Sequence, residues 1–132
     1  MLDIREQYAT DENAENEGVW RDLPKGAKVK IARGGNRAYT RELNRLIDLR
    51  RADMDAAGDD ADKISDEIMA EVLAKTILKD WSGIGANGVE TPYSIAEAKA
   101  KLAIKDFRRV IGSFADEMEA YRIKKEAEQG KS

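Results

Sequence analysis

Between Arg37 and Ala52, the residues Tyr39, Leu43, Leu46, Ile47 and Arg50 recur at the i, i+4, i+7, i+8 spacing of one helix face, while Arg41, Arg45, Asp48 and Arg51 largely fall elsewhere. This pattern predicts an amphipathic, basic helix. The polar stretch 54–62 (MDAAGDDAD) reads as a linker around Gly58, with Asp62 as the N-cap of the next helix. There Ile64, Ile68, Val72 and the row Leu73, Ile77, Trp81 give an apolar face, so that helix is expected to end near Trp81. Gly83, Gly85 and Gly88 then interrupt helicity, and Pro92 restricts Thr91 to extended conformations, which predicts a loop. Ser94-Ile95-Ala96-Glu97 has the form of a capping box and starts a helix carrying Ala98 and Leu102. That helix loosens around Ile104-Lys105-Asp106 and gives way to a last one, with Phe107, Val110, Ile111, Phe114 and Met118 on one face and Tyr121 continuing the stripe. Upstream the pattern is different. Residues 18–23 and 28–33 flank Pro24-Lys25-Gly26-Ala27, and Val29 and Ile31 alternate with Lys28 and Lys30, as in a short hairpin ended by Gly34-Gly35-Asn36. Because a lone two-stranded hairpin is marginally stable, its apolar face, assigned to Val29, Ile31 and Trp20, is expected to rest on helices.

The fold class expected from these elements is mainly α: about four helices in a small bundle, with a short N-terminal β-hairpin and flexible termini. Residues 1–17 read as a flexible acidic arm, 18–123 as a single helical domain with its hairpin, and 124–132 as a frayed tail, since KKEAEQGKS offers no large apolar residue to pack. A chain of 132 residues suits one domain. Its charge falls in blocks. Residues 1–18 hold six acids and one base, residues 19–53 hold ten bases and four acids, and the remainder is acidic again, for a net charge of −3. That balance argues against a general polyanion binder. No stretch approaches the roughly 18 apolar residues of a membrane span, and the N-terminus has no apolar leader core, so the expectation is a cytosolic protein with no membrane partner.

The chain contains neither Cys nor His, which removes disulfides, thiolate nucleophiles, zinc fingers and imidazole-based triads from consideration. The terminal Gly130-Lys131-Ser132 matches the end of a phosphate-binding loop, but Lys125 stands where the first glycine is required. The run from Asp53 begins like a calcium loop and fails at Ala57 and at Ile64, where a bidentate Glu is needed. Neighbouring acids such as Asp59 with Asp60, or Asp66 with Glu67, lack the cleft that acid-base chemistry demands. No catalytic, cofactor-binding or metal-ligating residue is therefore assigned, no cofactor is expected, and the protein is not expected to be an enzyme. Arg33, Arg37, Arg41 and Arg45 form a candidate basic patch beside Gly34-Gly35-Asn36. Few aromatics interleave with these arginines, so nucleic acid is disfavoured as a partner, and masking of the patch by the acidic arm is an equal alternative.

Trp81, Tyr93, Phe107 and Phe114 surround the glycine-rich segment and are expected at the centre of a core or an interface. The apolar stripe of the last helix is wide for so small a protein, leaving part of it available to an apolar partner helix. The candidate partner-binding residues are accordingly Trp81, Ile84, Tyr93, Phe107, Ile111, Phe114, Met118 and Tyr121.

Two blocks of sequence carry a resemblance. Leu78-Lys79-Asp80-Trp81-Ser82-Gly83-Ile84, then Gly88, Thr91-Pro92-Tyr93-Ser94, Glu97-Ala98, Leu102 and Phe107-Arg108-Arg109-Val110-Ile111 form the first. Val29-Lys30-Ile31-Ala32-Arg33-Gly34-Gly35-Asn36-Arg37-Ala38-Tyr39 forms the second. Together they resemble the tail assembly chaperones of long-tailed bacteriophages, departing from them at Ile104-Lys105-Asp106, where relatives often have a proline. The resemblance implies a non-virion protein of the host cytoplasm that binds the tape measure protein, keeps it soluble before tail tube polymerisation, and meets the tail tube protein and copies of itself. The alternatives are a virion protein such as a head-tail connector, and a small nucleic-acid-binding regulator using the basic helix.

Overall fold

The structure, a computed structural model, describes residues 1–123; the frayed tail expected over 124–132 lies outside the described residues. The elements follow in the order α1 (Ile4–Tyr8), α2 (Glu12–Glu17), β1 (Val19–Asp22), β2 (Lys28–Ile31), α3 (Arg37–Ala57), α4 (Ala61–Thr76), β3 (Leu78–Ser82), β4 (Gly85–Ala86), β5 (Val89–Glu90), α5 (Ile95–Leu102) and α6 (Lys105–Ala115). Short 3-10 turns lie at Pro24–Gly26, Gly58–Asp60 and Met118–Tyr121.

The architecture is α+β rather than a four-helix bundle with an accessory hairpin. The hairpin β1-β2 is joined by β3 into a three-stranded antiparallel sheet with β2 in the centre, and β4 and β5 form a second, two-stranded sheet. The overturned expectation is the helix running to Trp81, which ends at Thr76. Its physical cause is a β-bulge: Lys30 pairs with Asp80 and Ile31 with Leu78, so Lys79 is left over. The extra residue puts Leu78 and Trp81 on the same, buried face although they are three positions apart. A bulged strand thus imitates helical spacing.

Parity corrects a second expectation. Trp20 pairs with Lys30, whereas Val19 pairs with Ile31 and Arg21 with Val29. Trp20 therefore stands on the outer face, 48% exposed, while Val29 and Ile31 are fully buried. The segment after β3 is also more ordered than a loop: Asn87 (φ 55°) and Gly88 (φ 76°) both take positive φ and turn β4 into β5, the conformation that Asn-Gly favours in two-residue hairpin turns.

Between α3 and α4 the expected linker shrinks to the turn Gly58–Asp60, because α3 continues through Ala57. Met54, assigned to the linker, packs instead with Leu43 and Ile64 against the buried Leu46, Ile68 and Val72. Asp60, not Asp62, occupies the cap position of α4. A larger core joins the inner face of the sheet to α4, α5 and α6 through Val29, Ile31, Leu73, Ile77, Leu78, Trp81, Leu102 and Ile111. The Ser94 cap holds as expected, its Oγ accepting the Glu97 amide at 3.0 Å.

The two ends of the described chain are tied together. α1 and α2 are capped by Asp3 and Asp11, whose carboxylates accept the amides of Glu6 and of Asn13 and Ala14. The Asp11 amide donates to the Tyr121 carbonyl at 2.7 Å, and the Ile123 amide to that of Ala9 at 3.1 Å. These bonds hold the segment 9–17 against the rest of the chain, while α1 before it is capped and exposed. The last helix stops at Ala115 rather than extending through Tyr121. Turning there lets Tyr121 reach the sheet, where it is fully buried and its hydroxyl donates to the Ile31 carbonyl at 2.9 Å.

Burial pushes the Tyr121 hydroxyl up from 10.0 to about 12. The stabilisation is therefore complete below pH 10 and is lost as pH rises toward 12, because the unfolded tyrosine ionises first. Tyr121→Phe should cost about 1 kcal/mol at pH 7 and reduce the alkaline loss of stability, read by urea denaturation at pH 7 and pH 11. An unchanged midpoint at pH 7 would remove the hydroxyl from the account of the fold.

Candidate functional site

Helix α6 lies on the core through Ile111, fully buried, and Ala115, 3% exposed. Its entry is fixed by Arg108, which donates to the Leu102 carbonyl at 2.9 Å and pairs with Asp66 at 3.2 Å. With the inward face so defined, helical geometry sends the remaining positions to two opposite flanks. Phe107, Val110 and Phe114 make one flank. Phe107 and Phe114 are half-buried against the core, whereas Val110 is 40% exposed, and Ile104, just before the helix, is exposed as well. The Arg21 guanidinium sits 5.2 Å from the Phe114 ring centroid and pairs with Glu117 at 2.5 Å, closing the sheet end of this flank.

The other flank carries Gly112 and borders a cavity of about 320 Å³. Met69 and Leu73 of α4, Ile77 just after it and Tyr39 of α3 line it, and Gly34 and Gly35 border it next to the end of α6, where the Gly34 amide donates to the Ala115 carbonyl at 2.9 Å.

The structure divides the sequence-predicted partner residues. Trp81, Ile111 and Tyr121 are interior. Trp81 donates its indole N–H to the Thr91 carbonyl at 2.8 Å and meets Tyr93 edge-on, with ring centroids 5.1 Å apart. Tyr93 donates its hydroxyl to the Leu78 carbonyl at 2.6 Å, so this aromatic pair fastens β3 to the segment leading into α5. Ile84 and Tyr93 are half-buried on the core. Phe107 and Phe114 reach the surface in part, and Met118 opens the last turn with its side chain outside what is described.

The candidate basic patch is also divided. Arg33 pairs with Glu15 of α2 at 2.8 Å, so the acidic N-terminal segment neutralises it. Arg45 holds Glu42 with two hydrogen bonds, at 2.7 and 3.0 Å. Arg37 and Arg41 are exposed, and neither enters an ion pair among the described residues.

Sequence reasoning missed an ionic network across three helices. Lys75 lies 3.1 Å from Glu42 and 2.7 Å from Glu71, and Lys99 of α5 lies 3.1 Å from Glu71. The i, i+4 pair Glu71 and Lys75 was the one signal in the sequence; the rest depends on how α3 and α5 cross α4. The cavity beside Gly112 was missed too, since a lone glycine in a helical stripe says nothing about what faces it.

Residues 34–132 match the family described as the YdaY prophage protein. The chain belongs to this family. It is therefore phage-derived, and the region shared with the YdaY family takes in α3 to α6 and β3 to β5, including both flanks of α6. No curated protein and no solved structure matches the chain significantly.

The hydrogen bond from Arg45 draws the Glu42 carboxyl down from 4.5 to about 2, with Lys75 adding to it against the opposing effect of burial. Glu71 is likewise lowered, chiefly by Lys75. A depressed folded value means that the stabilisation is present above pH 4.5 and is lost as pH falls toward 2. Glu42→Gln should cost about 1 kcal/mol at pH 7, with the difference from wild type vanishing near pH 2, as measured by urea titration across that range.

Proposed function

We propose that the protein is a tail assembly chaperone that binds the tape measure protein through the Phe107-Val110-Phe114 flank of α6 and keeps it soluble before tail tube polymerisation. The observation that carries this reading is the exposure of Val110 and Ile104 beside two half-buried phenylalanines on a helix whose inner face is already satisfied by Ile111. Contiguous apolar surface of this kind suits reversible burial of another apolar stripe. Its phage-derived family and its resemblance to tail assembly chaperones in the blocks around Trp81 and Tyr39 point the same way. In this reading the protein works in the host cytoplasm without cofactor or catalysis, many copies share one partner chain, and tail tube subunits displace them. Neutralisation of Arg33 by Glu15 and of Arg45 by Glu42 weighs against the nucleic-acid reading.

The test is co-expression with the neighbouring tape measure protein. Wild type is expected to keep that protein soluble, with complexes that survive high salt, and Val110→Glu should lower the soluble fraction several-fold while leaving the chaperone folded. Failure of wild type to rescue, together with its presence in purified particles as a ring, would replace this reading with that of a connector.

A further inference from the structure

Gly112 lies within α6, where glycine lowers helix stability relative to alanine. A Cβ at this position would meet nothing within 4 Å, so no contact inside the protein requires glycine. Gly34, which also borders the cavity, differs: a Cβ there would lie 3.1 Å from an Asp116 carboxylate oxygen and 3.5 Å from the Ala115 side chain, which accounts for its glycine by close approach. The cavity beside Gly112 has an apolar floor, with Leu73 at 6% and Ile77 at 0% exposure. Arg109 and Asp116 both line it, seven residues and about 10 Å of helical rise apart. Both are exposed, and neither enters an ion pair among the described residues, unlike the neighbouring Arg108, which is held by Asp66.

We infer that this groove is a docking site for an amphipathic helix of a partner protein, one that carries an acid and a base seven positions apart with a single apolar side chain between them. The apolar side chain seats over Gly112, where the missing side chain permits close approach; the acid faces Arg109 and the base faces Asp116. A second copy's α6 laid antiparallel would match the two charges as well, Arg109 against Asp116 and the reverse, but it brings Gly112 instead of an apolar side chain to the apolar floor of the groove. The exposed Leu49 of α3 is flanked by Arg45 and Asp53, but these charges are already held by Glu42 and Arg50. The inference goes beyond tape measure binding: it concerns the flank of α6 opposite Val110 and does not depend on that partner.

The probe is a fluorescein-labelled alanine-based helical peptide of about 20 residues with Glu, Leu and Lys at i, i+3 and i+7, titrated against the full chain and followed by anisotropy. Saturable binding is expected, with about fivefold weaker binding when Glu and Lys are both replaced by Gln, as two exposed ion pairs would give. Gly112→Leu fills the groove from a position with open space around it, and should weaken binding at least tenfold at unchanged or higher Tm. Gly112→Ala should raise Tm and shows that α6 tolerates a side chain there. Equal binding by Gly112→Leu, indifference to the two charges, or no saturable binding would each overturn the inference. So would a dimer in sedimentation that Gly112→Leu dissolves, since the occupant would then be a second copy. Val110→Glu should leave peptide binding intact, so loss of tape measure rescue and loss of peptide binding are separate results.

Discussion

Four consecutive residues at the end of the central strand hold the remote parts of the chain together. The Ile31 carbonyl accepts the Tyr121 hydroxyl, the Ala32 amide donates to the Ile77 carbonyl, the Arg33 amide to that of Glu15, and the Gly34 amide to that of Ala115. These partners come from the C-terminal turn, the end of α4, the N-terminal segment and the end of α6. Buried backbone polar groups must be paired, so a strand whose end is 0% exposed at Ile31 and Ala32 forces such convergence. The docking of the N-terminal segment, the early end of α6 and the short last turn all follow from satisfying this junction.

How much of this was legible depended on whether a signal was local. The Ser94 cap, the stripe of α3 and the alternation of Val29 with Ile31 are set by near neighbours, and the structure has them where the sequence placed them. Leu78 and Trp81 misled because a bulge at Lys79 gives a strand the three-residue spacing of a helix, and the residue that decides it, Ile31, is 47 positions upstream. Trp20 misled because hairpin parity is set by pairing with Lys30, not by hydrophobicity. The aromatic cluster was recognised around the right segment, but nothing in Trp81 or Tyr121 announces that one is latched by Thr91 and the other by Ile31. The candidate surface was legible as a helix and illegible as a site, because its two flanks are defined by what packs on Ile111.

Charge blocks in the sequence become short-range pairs in the fold. The acidic N-terminus does not hover over a basic helix; Glu15 meets Arg33 at the junction itself, and the arginines of α3 are partly absorbed by acids one turn away, Arg45 by Glu42 and Arg51 by Asp48. Exposed pairs of this kind add little stability each. Where they converge, as Glu42, Glu71, Lys75 and Lys99 do, they link across the surface three helices that already pack through Leu46 with Val72 and through Leu73 with Leu102.

Helix α6 is where local preference and fold disagree. No other described α-helix has a glycine in its body, whereas α6 carries Gly112 with no neighbour to explain it, and Val110 and the preceding Ile104 stay in solvent while Ile111 and Ala115 are buried. A helix needed only for the core would carry alanine at 112 and a polar residue at 110. Sequences that fold well agree with their structures at each level, and departures from that agreement concentrate where function is exercised. Both departures lie on one helix, on opposite flanks of one buried face, within the part of the chain shared with its family. The anchored face at Ile111 keeps α6 in place, and so lets both flanks remain open to partners without the fold having to rearrange.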